Sequence, residues 1–493
     1  MHMKIRTLVT MLFFLFNSNT CFSQEKNSAT AKRTINKIEA YLDTIEKAGF
    51  MGTVLVELNG EKVISSGYGY SDLNKKIKNN PNTLFDIGSI TKQFTAAAIL
   101  KLEMQGKLTT SDKISIYYKS VPKDKVEITI HDLLRHQSGL PSNVGGDYDK
   151  ITESAFIDSV LNALLKFEPG KSFSYSNIGY SLLAIIIEKV SGLSYEQYLY
   201  ANLWKPAGME FTGYTRPKFN PNTIATGYYK DDKVWGRPTE KEWDINAPYW
   251  HLKGNGGILS TTEELYKWSL ALLTNTILSN AAKEKYYHPQ LRVNENNNPY
   301  YAYGWDVMKT KRNTILVQHN GSNGIFYADF KRFIDEGITI IMLSNKSHPN
   351  FNDASMVISN LIFDSLYKPI IPIADNPANR KFTEEVMRIT IEEGLESGIR
   401  IIEKQRNRVD LLEVMVNSKG YELMNEQKLI QAIDIFKLNV YAYPASFNAY
   451  DSLGEAYLET GNKELAIENY KKSLLLNPDN LNAVEVLKEI EGK

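Results

Sequence analysis

The hydrophobic pattern changes period along the chain, and each change predicts a different kind of structure. Between residues 30 and 48, Ile35, Ile38, Tyr41, Leu42 and Ile45 recur at helical spacing and predict an amphipathic helix. Two strand-like runs follow, Gly52 to Leu58 and Lys62 to Tyr68, joined by Asn59-Gly60, a dipeptide suited to a tight hairpin turn. From about Thr110 to Tyr300 the pattern is mostly helices and loops. One helix runs from Thr129 to His136 and ends at Gly139-Leu140-Pro141; an apolar one spans Asn177 to Val190. Another spans Ser194 to Leu203, and a fourth from Thr261 to Leu273 opens with Thr-Thr-Glu-Glu, a capping arrangement. Short β-rich runs return at Gly304 to Met308, Thr314 to Gln318, Ile325 to Lys331 and Ile338 to Leu343. The expected fold is α/β of the α+β kind. One antiparallel sheet, built from the first hairpin and the last strands, is flanked by helices, and an all-helical lobe is inserted between its two parts. The cleft between the lobes is then the natural place for a site.

Lys368-Pro369 to Arg380 holds three prolines and few periodic apolar residues, which makes residues 367–382 an expected linker after a first domain at 30–366. Everything beyond is helical and repeats. Gly420 and Gly454, Ala432 and Ala466, Phe436 and Tyr470, and Pro444 and Pro478 are each 34 residues apart. Tyr450-x-x-Leu453-Gly454-x-x-Tyr457, then Ala466-x-x-x-Tyr470, then Pro478, resembles the tetratricopeptide repeat. Gly398 and Ile402 occupy the small and bulky positions one period earlier, so 383–416 is expected to be a degenerate first unit of a domain at 383–493. Stacked repeats of this kind present a concave surface to a protein partner, or mediate self-association.

Composition adds limits. The 493 residues carry 57 basic and 57 acidic side chains, which argues against a nucleic-acid binder driven by global charge. Lys4 and Arg6, the apolar run Leu8 to Phe16 and the small-x-small site Cys21-Phe22-Ser23 predict an export signal over residues 1–23. The apolar run is too short to span a bilayer, so no membrane span is expected. Cleavage there would leave 55 basic and 57 acidic residues and remove Cys21, the one cysteine, so the mature chain would hold no disulfide. The expected location is the periplasm or the medium; the rival is a lipid anchor on Cys21.

Three segments carry candidate chemistry. In Asp86-Ile87-Gly88-Ser89-Ile90-Thr91-Lys92, a helix starting at Ser89 places its hydroxyl and the Lys92 amine one turn apart on one face. Ser89 is then a candidate nucleophile, and Lys92 a group to hold or relay its proton. Spacing alone is weak evidence, because Ser-x-x-Lys recurs at Ser23/Lys26, Ser120/Lys123 and Ser365/Lys368. In Ser174-Tyr175-Ser176-Asn177, a phenol beside an ammonium would titrate below its usual range near 10 and serve as base and acid. Asn177 can accept from a lysine and donate to a substrate amide oxygen. In His319-Asn320-Gly321-Ser322-Asn323-Gly324, glycine lets a substrate backbone approach a strand edge, and the Ser322 N–H with that of Ser89 could form a two-donor oxyanion hole. No Gly-x-Ser-x-Gly elbow, His-Glu-x-x-His or P-loop competes, and the seven histidines show no ligand pairing, so neither metal nor cofactor is expected.

These segments, in this order, resemble the serine β-lactamase and penicillin-binding-protein superfamily, most of all its class C branch with D-alanyl-D-alanine carboxypeptidases, D-aminopeptidases and esterases. The resemblance covers about residues 35 to 365 and extends to Leu133-Leu134-Arg135-His136-Gln137-Ser138-Gly139-Leu140, Gly256-Gly257-Ile258-Leu259-Ser260-Thr261, Tyr303-Gly304-Trp305 and Leu343-Ser344-Asn345. It implies a nucleophile at Ser89, a proton partner at Lys92, a general base and acid at Tyr175, and substrate contacts from Asn177, His319, Gly321 and Ser322. His319 stands where β-lactamases usually carry lysine. With a reference pKa near 6.5 it would hold a substrate carboxylate less firmly, and less so as pH rises. The implied activity is an acyl-enzyme hydrolase acting on a peptide containing a D-amino acid, with a small ester or weak β-lactam hydrolysis as alternatives. A non-catalytic protein that binds wall fragments and recruits a partner through its repeats is the reading from another class.

Overall fold

The computed structural model describes residues 31–492 except 216, 242, 244–247, 289–290, 293–299, 370–376, 406–408 and 478–479. The expected signal with Cys21, the middle of the expected linker and Pro478 lie outside the described residues. The chain divides into two compact units, Met1–Glu46 with Phe50–Ile371, and Lys47–Gly49 with Pro372–Lys493.

The first unit is built on an eight-stranded antiparallel sheet. Its strands are β1 (Gly52–Leu58), β2 (Glu61–Tyr68), β3 (Leu291–Arg292), β4 (Tyr300–Tyr301), β5 (Asp306–Lys309), β6 (Ile315–Ser322), β7 (Tyr327–Phe333) and β8 (Ile338–Ser344), in the order β2-β1-β8-β7-β6-β5-β4-β3. The β1–β2 hairpin turns at Asn59 and Gly60, both at positive φ (54° and 82°), as the Asn-Gly pair requires. Gly52 lies opposite Ser344 and Leu58 opposite Ile338, so the two ends of this unit share one sheet, as expected. β6 runs further than the pattern predicts and carries His319 to Ser322 as paired strand, with Gly321 opposite Ala328 and Ser322 opposite Tyr327. That segment therefore forms the paired end of β6, with Asn323 and Gly324 just beyond it.

Alternation along β7 sends neighbouring residues to opposite faces. On one face Arg332 donates to Ser269 Oγ of α7 (Thr262–Leu273) at 2.9 Å. On the other, Asp329 accepts from Ser355, and Phe333 meets Phe363 edge-on at 4.9 Å, both partners belonging to α9 (Ala354–Phe363). The N-terminal helix α1 (31–47) buries Ile38, Tyr41, Leu42 and Ile45 of the expected stripe, and Ile35 at its start is half-buried.

The helical lobe surrounds α2 (Thr91–Met104), which follows a 3₁₀ turn at Gly88–Ile90. Every residue from Thr91 to Leu100 is buried, so α2 is a core helix rather than an amphipathic one, and Phe94 packs between Trp204 and Trp268 at 5.7 and 4.9 Å. Around it lie α3 (Ile130–Leu134), α4 (Glu153–Asn162), α5 (Asn177–Ser191), α6 (Tyr195–Leu199) and α8 (Asn280–Tyr287). Thr129 caps α3 in a reciprocal box with Asp132; α3 stops at Leu134, short of the expected end, and His136 adopts φ 57°. No single helix among the described residues is long and apolar enough to cross a membrane.

The second unit is all helical: α10 (Pro377–Glu393), α11 (Leu395–Gln405), α12 (Glu413–Asn425), α13 (Leu429–Ala442), α14 (Phe447–Glu459), α15 (Lys463–Leu476) and α16 (Leu481–Glu491). The 34-residue offsets become contacts. A Cβ on Gly420 would fall 2.4 Å from the Phe436 ring, and one on Gly454 3.2 Å from the Tyr470 ring. One period earlier Val386 stands at the glycine position and Ile402 at the aromatic one, so that pair of contacts is not repeated there. Residues 377–382, expected in the linker, open α10 instead, because Pro377 stands at the first helical position, where a missing N–H costs nothing.

Candidate active site

The turn before α2 is held from two sides. Ile87 N donates to Ile258 O at 3.0 Å, and Asp86 accepts from Gly88 N at 2.8 Å and from Asn323 Nδ2 at 2.9 Å. Gly88 sits at φ +49° with space for nothing larger, since a Cβ there would lie 2.6 Å from Ser322 N. Gly321 faces it: a Cβ would lie 2.0 Å from Ile87 O and 2.8 Å from Ser89 N. The two glycines let β6 lie directly against the Ser89 turn, which puts the amides of Ser89 and Ser322 on facing segments.

Lys92 is the centre of the polar contacts. It is 0% exposed, and its Nζ stands 3.0 Å from Ser89 Oγ while donating to Asn177 Oδ1 and Asn255 O, each at 2.8 Å. Burial holds its pKa well below the ordinary lysine value, although the Asp147 carboxylate pulls the other way. Two N–H bonds thus go to obligate acceptors, and in the neutral amine the lone pair is left for Ser89. Asn177 follows the α5 cap Ser176, and its Nδ2 donates to Asn143 Oδ1 at 2.9 Å.

Tyr175 joins the group by its ring. Lys92 Nζ lies 4.8 Å from the ring centroid, and the ring packs on His136 at 4.2 Å and against Tyr301 and His319 at 6.1 and 6.4 Å. Its buried hydroxyl makes no hydrogen bond of ordinary geometry with a described residue, though it lies near enough to Ser89 and Tyr301 for their hydroxyls to draw its pKa down. Burial outweighs that pull and raises the phenol above its usual range. The expectation of an acidified Tyr175 is therefore reversed: desolvation penalises the phenolate and the ammonium alike, and the neutral pair is favoured.

His319 also departs from its expected role. It is 4% exposed, and burial, then the Lys92 charge, lower its pKa to about 4. Its Nδ1 meets the Asn320 carbonyl, an obligate acceptor, so the proton sits on Nδ1; Nε2 then accepts from Tyr301 OH at 3.1 Å. A neutral ring with both nitrogens engaged offers no charge to a substrate carboxylate. Gly321 is buried under the turn, and Ser322 is exposed, its Oγ accepting from Gly324 N at 3.0 Å.

Several neighbours carried no advance signal. Asn255 contributes through its backbone carbonyl, and its side chain donates to Ser181 Oγ and His251 O, both at 2.8 Å. Tyr301 bridges Tyr175 and His319. His136 accepts from Ser176 N at 3.0 Å and floors the Tyr175 ring. The block Gly254 to Thr261 could have pointed to Asn255, since it lies in a glycine-rich turn. Among the described residues no group of three or more His, Asp or Glu side chains is placed to hold a metal.

The fold thus brings Ser89, the buried Lys92, Tyr175 and the end of β6 together. The β-lactamase family model matches residues 36–361 and a tetratricopeptide-repeat model matches 447–480. The chain belongs to the β-lactamase and penicillin-binding-protein family of serine hydrolases and carries a tetratricopeptide repeat near its C-terminus. It is 32% identical over 352 residues to Penicillin-binding protein 4* of Bacillus subtilis (strain 168), covering 68% of this chain and 76% of that protein. The octameric penicillin-binding protein homologue from Pyrococcus abyssi is 27% identical with a TM-score of 0.57, covering 72% of this chain and 81% of that one. D-amino acid amidase from Ochrobactrum anthropi SV3 shares the fold, at 24% identity and a TM-score of 0.58, covering 68% of this chain and all of that one (100%).

Proposed function

We propose that this protein hydrolyses an amide of a D-amino acid or a D-amino-acid peptide through an acyl-enzyme on Ser89. The observation that carries it is the buried Lys92 amine, 3.0 Å from the Ser89 hydroxyl and bonded to two acceptors besides. Lys92, neutral at rest, takes the Ser89 proton as Oγ bonds to the carbonyl carbon. The carbonyl π pair moves onto oxygen, where the Ser89 and Ser322 amides receive it. Collapse breaks the bond to the leaving amine, which takes the Tyr175 phenol proton; the phenolate recovers a proton from the Lys92 ammonium. Water repeats the sequence on the ester and restores Ser89. Tyr175 thus acts first as an acid and Lys92 as the base, a division that follows from their opposite shifts.

The relatives named for penicillin binding and for D-amino acid amides support that substrate class. We also propose export through residues 1–23, with a lipid anchor on Cys21 as the alternative, and a protein segment as the partner of the repeat unit. Labelling of the mature protein with a fluorophosphonate, and turnover of a panel of D- and L-amino-acid amides, tests the function. Ser89 alone should be modified, Ser89→Ala should abolish both signals, and a label that survives this substitution removes Ser89 as nucleophile.

A further inference from the structure

The charges around Ser89 are arranged for a cation, not an anion. Lys92, His319 and His136 are all driven toward their neutral forms by burial. Of the carboxylates, Asp86 is engaged by Gly88 and Asn323, and desolvation pushes the pKa of both Asp86 and the half-buried Asp306 up to about 6. Asp147 differs from Asp86 in having no partner: it is half-buried, makes no hydrogen bond or ion pair with a described residue, and its field reaches Lys92, Asp86 and His251. Burial raises its pKa too, against the pull of Lys92 and His251, so a cation brought to it would favour its charged form.

Its loop, 141–151, borders the site on two sides. Asn143 bonds Asn177, the Lys92 acceptor, at 2.9 Å. Tyr148 packs on Trp235 at 6.0 Å and lies near enough to Asn323, beyond the end of β6, to share its amide. Between them Gly145 lies flat against His251, where a Cβ would fall 2.5 Å from the ring. The loop therefore presents a carboxylate with no partner among the described residues between fixed points beside Asn177 and Asn323, and the basic groups whose fields reach it are Lys92 and His251. His251, the other basic group there, is lowered in pKa by burial.

On the footing of the acyl-enzyme function above, we propose that Asp147 receives the free α-ammonium of the substrate, so that the site takes amides and peptides with an unblocked amino terminus at the residue that acylates Ser89. An ammonium at Asp147 would also cancel the field that favours the charged form of Lys92, so substrate binding keeps the base neutral. A peptide presenting only a carboxylate to this site would meet a carboxylate and find no counter-charge.

The test follows fluorophosphonate labelling of Ser89 in the full-length mature protein, with D-alaninamide or N-acetyl-D-alaninamide as protectant. D-Alaninamide should protect at roughly tenfold lower concentration, the effect of one charge-assisted contact. Asp147→Asn should erase that difference, and Asp147→Glu, which keeps the charge, should retain it. Equal protection by the two amides, protection by neither, or a difference that persists in Asp147→Asn overturns the Asp147 assignment while labelled Ser89 leaves the hydrolase function standing. Absence of Ser89 labelling overturns both.

Discussion

Replacing Gly321 with alanine should disable the site with little loss of fold. The added Cβ would stand 2.0 Å from Ile87 O and 2.8 Å from Ser89 N, where ordinary contact begins near 3.4 Å. Neither obstacle is a side chain that can rotate away: both are backbone atoms of the turn that Asp86 and Ile258 hold in place. The strand edge must then retreat by more than about 1 Å, and a misplacement of that size costs on the order of a hundredfold in rate. The same retreat carries the Ser322 amide away from the Ser89 amide, and loss of one such donor costs about a hundred- to a thousandfold. Because β6 is paired over Leu316 to Ser322 on its β7 side, the sheet itself should survive. The assay is the pseudo-first-order rate of Ser89 labelling beside a thermal melt. We expect a fall of at least about a hundredfold with a cooperative melt retained. A labelling rate within about threefold of the parent, in a folded variant, would show that the two amides do not act together.

Tyr175→Phe removes a buried hydroxyl that has no well-formed partner, so Tm should hold while turnover drops by about a hundred- to ten-thousandfold; a large fall in Tm would mean that the hydroxyl is structural. Lys92→Met should abolish labelling of Ser89 at neutral pH, read by intact-mass spectrometry, because the Tyr175 phenol holds its own proton and both His319 nitrogens are engaged. With the His319 pKa near 4, the ring loses its charge as pH rises through that value, so KM for any substrate should be flat from about pH 5.5 to 8 as far as His319 is concerned. A KM change centred between pH 6 and 7 that disappears in His319→Gln would contradict this. In the repeat unit, Gly420→Leu drives a side chain into the Phe436 ring and should lower stability by about 1–3 kcal/mol in chemical denaturation, leaving Ser89 labelling intact.

What the sequence disclosed, and what it withheld, divides along physical lines. Ser89, Lys92 and Asn177 were legible because turn residues and helical spacing are local, and Lys92 meets Asn177 because α2 and α5 pack together in the helical lobe. The hairpin at Asn59-Gly60 and the repeat pairs Gly420/Phe436 and Gly454/Tyr470 were legible for the same reason: each is a short-range pattern with one packing solution. The protonation states were not. Tyr175 and Lys92 read as a phenol acidified by an ammonium, yet both are buried, and burial depends on the whole lobe around α2. His319 read as a weak cation until its partners, Tyr301 and the Asn320 carbonyl, fixed its tautomer. Asn255 acts through a carbonyl that every residue possesses, so no residue type could announce it. Asp147 lies on a loop with no periodicity, and only the fold brings it to Lys92.

The central claim is that Lys92 is the neutral base of Ser89, and the pH profile of Ser89 labelling under single-turnover conditions tests it most directly. The account predicts a rate that rises with one ionisation and levels off well below the ordinary lysine value of about 10.5, with the step lost in Lys92→Met. A rate still climbing as pH passes that value would mean that Lys92 rests as an ammonium and that another group takes the proton.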